Sequence, residues 1–320
     1  MLTARPAAEL LESGVDFPAA LRAQVLAALA ATPWRRYPEP SDGLRARIAA
    51  HYGVAAANVL PTRGCREAVE LAFAWAVRAG APDGVSTLAL PRPSWSGFVP
   101  AAERAGAVWS AYDAGTPPPP DRIPVLCTPN NPTGHVTGYA DLARLCAPGA
   151  LPAVVDCTYD DLADQPVLPA VRGLLTGRGV FCASLAKSTG LAAARLGVLI
   201  AAEDVVAAIE AAAGPFGLDA FQVAALDVLF SDAGRRAWRD MVALARAVRA
   251  ECAGHAAALL PCGTVGPAVG GVVYARFADP CAHVSSLVEA TGATVFPRER
   301  VLRFRADHAT VHALAALRGR

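Results

Sequence analysis

The sequence predicts an α/β fold, with a large three-layer domain around a mainly parallel sheet and a smaller α+β domain. Short apolar runs alternate with segments of helical periodicity through the first part of the chain, which is the pattern of a covered parallel sheet. Beyond about residue 218 the pattern changes to one long helical segment followed by separate strand-like runs. With 320 residues and 54% hydrophobic content, the chain is long enough to bury a core in each domain.

Residues 30–217 are predicted to form the large domain, and residues 1–29 with 218–320 the smaller one. Helices are predicted where apolar residues recur three and four positions apart, at 18–31, 43–52, 66–79, 97–106, 138–147 and 203–213, and over about 219–259 with a break near 232–234. Strands are predicted at the apolar runs 85–91, 107–113, 123–129, 153–159 and 180–186. In the smaller domain the strand-like runs are GGVVYARF and VLRFRA, separated by SSLVEATGA.

Composition and charge exclude several classes of function. The formal net charge is +1, so the sequence has no basic surface for nucleic acid or for an acidic membrane. Charged residues and glycines interrupt every apolar stretch, and Glu9 and Glu12 lie in the N-terminal segment, which argues against a membrane span or a secretory signal. The eight cysteines show no CxxC pair and no metal-ligand spacing, so free thiols in a cytoplasmic protein are favoured over disulfides.

Lys187 is the one lysine among 29 basic residues. Arginine can replace lysine at solvated or ion-paired positions, but a guanidinium stays protonated and cannot attack a carbonyl. A retained lysine therefore indicates a position where a primary amine is required. A lysine that survived by chance could lie anywhere, so the surrounding residues decide between the two interpretations.

Polar residues follow the apolar runs, as expected of a ligand site at the carboxyl ends of parallel strands. Asn131 follows one predicted strand, Tyr159 ends a second, and Lys187 ends a third. Asp156 lies at the end of a buried run, where a carboxylate needs a cationic partner unless it caps a helix. Strand alternation places Tyr159 on the opposite side from Asp156 unless the chain turns between them.

Two further segments indicate a phosphate site. Gly64 directly precedes an amphipathic helix, so the backbone N–H groups of Cys65 and Arg66 point outward at its positive end. Ser184 and Arg195 flank Lys187 and supply a hydroxyl and a guanidinium for one phosphate. An ordinary helix start, a surface lysine and a structural arginine are the alternative interpretations.

Three motifs in order resemble the fold-type I pyridoxal 5'-phosphate enzymes: TPNNPTG (128–134), VVDCTYDDL (154–162) and SLAKSTGLAAARLG (184–197). The sequence is most similar to the class I/II aminotransferases, in the histidinol-phosphate aminotransferase-like branch. RRYPEP, LRARIAAHYGV and TRGCREAVELAF resemble the N-terminal pattern of that branch, and VLRFRADHATVHALAAL resembles its closing strand and helix. The likeness extends over about residues 34–318 and implies the aminotransferase fold of type I.

The resemblance implies a role for each matching residue around the cofactor. Lys187 matches the lysine that forms the Schiff base and moves the proton, and Asp156 matches the partner of the ring nitrogen. Asn131 and Tyr159 match the pair that hydrogen-bonds the phenolic oxygen of the ring and lowers the pKa of the imine. The phosphate contacts fall on Cys65, Arg66, Ser184 and Arg195.

Three more residues match positions at the edges of the site. Trp95, in PRPSWSGF, lies where the family stacks an aromatic ring on the cofactor, although core packing also explains a tryptophan at a strand end. Tyr37 matches a tyrosine that reaches the phosphate of a neighbouring subunit, so the resemblance implies a homodimer. Arg303 matches the arginine that binds the substrate α-carboxylate. Arg305 points the same way on a strand and is the poorer candidate.

The sequence departs from the family at three places. Arg66 replaces an acidic or small residue, and Ala193 stands where the family usually has glycine. The N-terminal segment carries residues 12–16 (ESGVD) in place of an Asn-Glu-Asn-Pro signature that normally lines the substrate pocket. Histidinol phosphate is therefore not the expected substrate, and the sequence does not identify another.

The leading functional prediction is an aminotransferase that passes the amino group of an amino acid, or a related amine, to a keto acid. The same apparatus supports a decarboxylase, a cyclase or an oxidase, because all of these reactions begin from the same cofactor–substrate adduct. A regulatory binding protein on this fold is the third alternative. Only about 30 residues precede the resemblance, without a helix-turn-helix pattern, and the predicted catalytic residues are retained.

Overall fold

The computed structural model describes residues 15–38, 43–80, 86–214, 217–260, 264–265, 272–277, 283–296 and 300–319. Its helices are α1 (Ala19–Ala31), α2 (Leu44–Tyr52), α3 (Cys65–Gly80), α4 (Phe98–Arg104), α5 (Tyr139–Leu145), α6 (Glu203–Ala213), α7 (Ala220–Leu229), α8 (Asp232–Leu259), α9 (His283–Thr291) and α10 (His308–Arg318). Its strands are β1 (Val59–Thr62), β2 (Thr87–Arg92), β3 (Val108–Asp113), β4 (Ile123–Cys127), β5 (Ala153–Cys157), β6 (Gly179–Ser184), β7 (Gly197–Ala201), β8 (Thr264–Val265), β9 (Val272–Arg276), β10 (Thr294–Phe296) and β11 (Val301–Arg305).

A seven-stranded sheet forms the centre of the fold, in the order β1-β7-β6-β5-β4-β2-β3. Strands β6, β5, β4, β2 and β3 run parallel to one another, whereas β7 is antiparallel to both β1 and β6. The predicted mainly parallel sheet is therefore confirmed. The five predicted strands correspond to β2 to β6, and the structure adds β1 and β7.

Helices cover both faces of this sheet and give the three predicted layers. On one face, α3, α4 and α6 pack against the sheet, with Phe73 and Phe98 in the core. On the other face lie α1, α2, α7 and the start of α8, with Ile48 and Trp238 in the core. Successive residues of one strand enter opposite cores, as the alternation of a β-strand requires.

A second sheet has the order β10-β11-β9-β8 and is antiparallel throughout. Helices α8, α9 and α10 pack on it through side chains that include Cys252, Leu287 and Leu314. The 28-residue helix α8 contributes Trp238 near its start to the core of the large sheet, and Cys252 near its end to this second core. It therefore links the two sheets physically.

The predicted break in the long helical segment is present between α7 and α8. Helix α7 ends at Leu229, and α8 starts at Asp232 with Ser231 as its N-cap. The Ser231 hydroxyl oxygen accepts a hydrogen bond from the backbone N–H of Gly234 at 3.1 Å, which satisfies one of the unpaired donors at the helix start. The division into a domain of 30–217 and a domain of 1–29 with 218–320 stays a prediction. Helices α1 and α7 themselves pack on the large sheet.

The described cysteines are free and buried, as the sequence predicts: Cys65, Cys127, Cys146, Cys157, Cys182 and Cys252. Cys262 and Cys281 lie outside the described residues. None of the helices described above is long and apolar enough to cross a membrane.

Candidate active site

A cavity of about 580 Å³ lies at the carboxyl ends of β4, β5 and β6, a volume in the usual range for a small-molecule site. The predicted site residues that line it are Cys65, Arg66, Trp95, Asn131, Asp156, Tyr159, Ser184, Lys187, Arg195 and Arg303. Tyr37 does not line it. The cavity also includes residues that the sequence analysis did not single out, among them Ser94, Cys127, Thr158, Thr294 and Phe296.

Strand pairing explains why distant positions of the chain meet here. In the parallel register Cys127 of β4 pairs with Asp156 of β5, and Asp156 pairs with Cys182 of β6. Asn131 and Lys187 follow β4 and β6 within a few residues. Because neighbouring parallel strands end at the same edge, their following residues converge on one cavity.

Asp156 is a buried carboxylate, with 4% of its surface exposed. The Thr158 backbone N–H donates to its Oδ1 at 2.9 Å, and the thiols of Cys65 and Cys127 lie 3.5 and 3.9 Å from its oxygens. Burial raises the pKa of Asp156, and these neutral donors offset the rise only in part. A cation in the cavity beside this carboxylate would therefore be stabilised.

Tyr159 reaches the same cavity because the strand ends before it. Strand β5 stops at Cys157, and the chain turns into a short 3-10 helix at Asp160. The turn removes the conflict between strand alternation and a shared site for Tyr159 and Asp156. Burial raises the pKa of the Tyr159 phenol well above its usual value, so this hydroxyl remains a hydrogen-bond donor.

Two side-chain hydrogen bonds at Ser188 hold the loop that carries Lys187. The Ser188 hydroxyl donates to Oδ2 of Asp161 at 2.7 Å, and Nε1 of Trp238 donates to the Ser188 oxygen at 3.0 Å. Burial raises the pKa of Asp161 to about 7. These contacts fix the residue next to Lys187, and the sequence analysis did not predict them.

The start of α3 and the Arg195 guanidinium form one positively charged corner of the cavity. Gly64 has φ +84°, and a Cβ atom there would lie 3.0 Å from Nη2 of Arg195, so a side chain at this position would crowd the guanidinium. The backbone oxygen of Arg195 accepts a hydrogen bond from Nε2 of the buried Gln222 at 2.9 Å. Helix-start N–H groups, a guanidinium and the nearby Ser184 hydroxyl together suit a phosphate.

Arg66 and Trp95 both line the cavity and contact each other. The Arg66 guanidinium carbon lies 5.6 Å from the centre of the Trp95 ring, within cation–π distance. Trp95 also packs edge-on against Phe98, with ring centres 5.3 Å apart, so it lines the cavity and contacts the core together. The side chain of Ala193 is exposed.

The second sheet closes the other side of the cavity. Arg303, with 8% of its surface exposed, donates from Nη2 to the Thr294 hydroxyl at 3.3 Å, and its guanidinium carbon lies 5.1 Å from the Phe296 ring centre. Arg305 instead forms an ion pair with Asp307 at 3.1 Å and does not line the cavity. The Tyr274 hydroxyl donates to Oδ1 of Asn131 at 2.7 Å, which joins the two sheets at the cavity wall.

The N-terminal segment is described from Val15 onward, so most of the predicted departure at 12–16 lies outside the described residues. Residues 15–17 run against the loop that follows Lys187. A Cβ atom on Gly190 would lie 2.5 Å from the backbone nitrogen of Phe17. Tyr37 is 69% exposed, and Trp34 nearby in sequence is 85% exposed.

Comparison with known proteins gives a consistent picture. A family model described as aminotransferase class I and II matches residues 9–306. The histidinol-phosphate aminotransferase of Xanthomonas euvesicatoria pv. vesicatoria is 27% identical over 277 residues, which cover 80% of this chain and 74% of the relative.

Similar solved structures have lower sequence identity and indicate the fold alone. Histidinol-phosphate aminotransferase from Sinorhizobium meliloti, in complex with pyridoxal-5'-phosphate, has a TM-score of 0.77 at 19% identity, covering 95% of this chain and 87% of that one. L-threonine-O-3-phosphate decarboxylase from Porphyromonas gingivalis has a TM-score of 0.74 at 19% identity, covering 95% and 98%. One fold therefore serves relatives of different reaction type.

Proposed function

The chain belongs to the class I and II aminotransferase family, a family of transferases that use pyridoxal 5'-phosphate, and from this premise we propose how its cavity works. In this cavity the enzyme transfers the amino group of an amino acid or related amine to a keto acid, and Lys187 is the residue that binds the cofactor covalently. The observation that carries the proposal is that the one lysine of the chain lines the same cavity as the buried Asp156 and Arg195.

The residues present fit this cofactor at both ends. Gly64, the start of α3, Ser184 and Arg195 offer donors for the phosphate. At the other end Asp156, whose pKa burial raises, suits a protonated ring nitrogen. Trp95 offers a ring face between these ends. When bound, pyridoxal 5'-phosphate supplies an electrophilic carbon and an electron-withdrawing ring.

The protein side chains provide binding and proton transfer. Arg303 binds the α-carboxylate of the amino acid, because its guanidinium is positioned over Phe296 and lines the cavity opposite the large sheet. Lys187 Nζ moves the proton of the substrate. Asp156 holds a proton on the ring nitrogen, and Asn131 with Tyr159 donates hydrogen bonds to the ring oxygen.

A homodimer is part of the proposal. Tyr37 and Trp34 are exposed aromatic side chains that do not line the cavity of their own chain, which suits a contact with a second copy. In the dimer Tyr37 reaches the phosphate of the partner's cavity. The molar mass from light scattering tests whether the protein is a dimer. Tyr37→Phe should weaken retention of the cofactor without dissociating the dimer. A cytoplasmic location also stays a prediction.

The test combines a Lys187 series with a screen of amino donors on the holoenzyme. Lys187→Ala removes the amine, and Lys187→Arg keeps the positive charge but cannot bond to the cofactor carbonyl. Both variants should lose turnover and the visible absorbance of the covalently held cofactor, while the original protein converts donors to keto acids. A cofactor that stays covalently attached to either variant after borohydride reduction contradicts the role of Lys187.

The same screen separates amino transfer from the alternative reactions of this fold. Carbon dioxide release from the donor without keto acid formation would indicate a decarboxylase. Consumption of oxygen would indicate an oxidase, and a ring product would indicate a cyclase. Keto acid formation matched by amination of a second keto acid is the result expected of the proposed aminotransferase.

A further inference from the structure

Tyr274 is a buried tyrosine of β9 whose hydroxyl leaves the second sheet and contacts the first. It is 2% exposed, and its hydroxyl donates to Oδ1 of Asn131 at 2.7 Å, across 143 positions of sequence. Asn131 lines the cavity, whereas Tyr274 is not among the cavity-lining residues. Any effect of this hydroxyl on the reaction therefore acts through its neighbours.

The geometry gives this hydrogen bond one direction, from the Tyr274 hydroxyl to the Asn131 oxygen. Arg303 faces Tyr274 in the antiparallel register of β9 and β11, and its positive charge opposes the rise in the Tyr274 pKa that burial causes. A guanidinium has donors only, so Arg303 cannot take the phenol proton, which is available for Asn131. Burial raises the pKa of Tyr274, so the proton stays in place at working pH.

This polarity decides which way the Asn131 carboxamide is turned. A carboxamide has one accepting and one donating end, and they are exchanged by rotation about its last side-chain bond. The Tyr274 proton selects the oxygen, Oδ1, so the Nδ2 group is directed elsewhere. Asn131 lines the cavity, so an Nδ2 group turned away from Tyr274 is available to a cofactor ring in that space.

The hydroxyl is not required for the packing of the aromatic ring. Tyr274 packs with Tyr159, Val272, Val301 and Phe296 in an apolar cluster that a phenylalanine would fill equally. A buried hydroxyl carries a desolvation cost unless it makes a hydrogen bond, and here that bond goes to a residue that lines the cavity.

We propose that Tyr274 is a positioning residue that fixes the Asn131 carboxamide with its N–H toward the cofactor ring oxygen, and thereby couples this contact to Arg303. This inference rests on the proposed function, because it requires a pyridoxal cofactor held by Lys187. It adds a residue of the second sheet to the control of the cofactor. A hydrogen-bond donor at the ring oxygen stabilises its negative charge, and this lowers the pKa of the nitrogen that joins Lys187 to the cofactor.

The experiment is a pH titration of the visible absorbance of the substrate-free holoenzyme. Tyr274→Phe should raise the midpoint by about half to one pH unit, the scale of one ordered neutral hydrogen bond. Asn131→Ala should raise it at least as far. If Tyr274 acts through Asn131, then Tyr274→Phe in the Asn131→Ala background should add no further shift.

Tyr112→Phe is the matched control, because the Tyr112 hydroxyl also donates one hydrogen bond, to the backbone oxygen of Val125 at 2.8 Å, outside this cavity. It should leave the midpoint unchanged. Thermal unfolding of each holoenzyme separates a loss of folding from a loss of positioning.

Three outcomes overturn the inference. The midpoint of Tyr274→Phe could equal that of the unmodified protein, or the variant could shift equally in the presence and absence of Asn131. A rise in KM for carboxylate donors without a change in the substrate-free titration would mean that Tyr274 serves Arg303 alone. In each case visible absorbance that depends on Lys187 still supports the proposed function, so the two failures are distinguishable.

Discussion

The two ends of the cavity come from different secondary-structure elements and are held by different kinds of contact. The proposed cofactor end, called the cofactor end below (Cys65, Asp156, Lys187 and Arg195), comes from strand ends and a helix start, and backbone groups hold it in place. Thr158 donates its N–H to Asp156, and the Arg195 carbonyl accepts from Gln222. The substrate end (Thr294, Phe296 and Arg303) comes from an antiparallel sheet and is held by side-chain contacts.

This difference separates what the fold requires from what one side chain can alter. Parallel strands deliver polar residues to one edge whatever their neighbours are, so the cofactor end follows from topology. The substrate end depends on which side chains occupy β10 and β11, and a single replacement there changes the contacts without moving a strand. Substrate selection is therefore expected to reside at the substrate end.

The largest effect is expected from Asp156→Asn at the cofactor end. The amide cannot balance a protonated ring nitrogen, and leaving a buried charge unpaired costs on the order of 3–5 kcal/mol. We expect turnover to fall by about 10²- to 10³-fold while the phosphate contacts still retain the cofactor. Asp113→Asn is the control, since Asp113 ends the parallel edge strand β3 of the same sheet and lies outside the cavity. A fall of less than tenfold would count against the assigned role.

An intermediate effect is expected from Arg303→Ala at the substrate end. Loss of a charge-assisted pair should lower kcat/KM for α-carboxylate donors by about 30- to 150-fold, or roughly 2–3 kcal/mol, with the cofactor still bound. Arg305→Ala, which removes the arginine paired with Asp307, should change kcat/KM little. An amine donor without the carboxylate should show no such loss. If it loses as much, Arg303 does not read the carboxylate.

The smallest effect on turnover is expected at Asp161, which accepts a hydrogen bond from Ser188, the residue next to Lys187. Its folded-state pKa of about 7 exceeds the usual 3.8, so the folded protein binds this proton more tightly than the unfolded chain does. The free energy of unfolding therefore falls as the pH rises from about 4 to about 7. Asn at 161 still accepts from Ser188 but does not titrate, so the variant should gain stability relative to the original protein as the pH rises through this range, by on the order of 1 kcal/mol per pH unit.

Urea unfolding of both holoproteins at several pH values measures this difference. The pKa of His51 is lowered to about 4 by burial, which makes stability rise with pH between about 4 and 6.5. This opposite trend is present in both proteins and cancels in the comparison. Asp141→Asn, on the surface of α5, is the control substitution. A pH-independent difference between Asp161→Asn and the original protein would show that Asp161 is not the titrating group.

The residues of the proposed cofactor end could be predicted from the sequence because they follow apolar runs at fixed spacing, and the structure brings them to one cavity. Sequence reasoning did not identify β1 or β7. β1 is four residues long and contains Pro61, and β7 follows directly after the loop that carries Lys187 and Arg195. Both strands are defined by antiparallel pairing with distant partners, and local periodicity carries no information about such pairing.

The contacts of the substrate end were even less accessible from sequence. Arg303 was predicted from resemblance alone, and Tyr274 was not predicted at all. Tyr274 lies within a strand rather than at its end, and its partner Asn131 is in the loop that follows β4 of the other sheet. Alternation predicts which face a strand residue occupies, but it cannot predict what that face meets.

The chain has one lysine, and its side chain lines the cavity, which has a practical consequence for labelling this protein. Guanidinium groups do not react with simple aldehydes or activated esters at neutral pH, so the reactive nitrogens are that side chain and the amino terminus. A cofactor bonded to that side chain would block the first and leave the second. Mass spectrometry of one peptide would then report site occupancy directly, without an assay for any particular substrate.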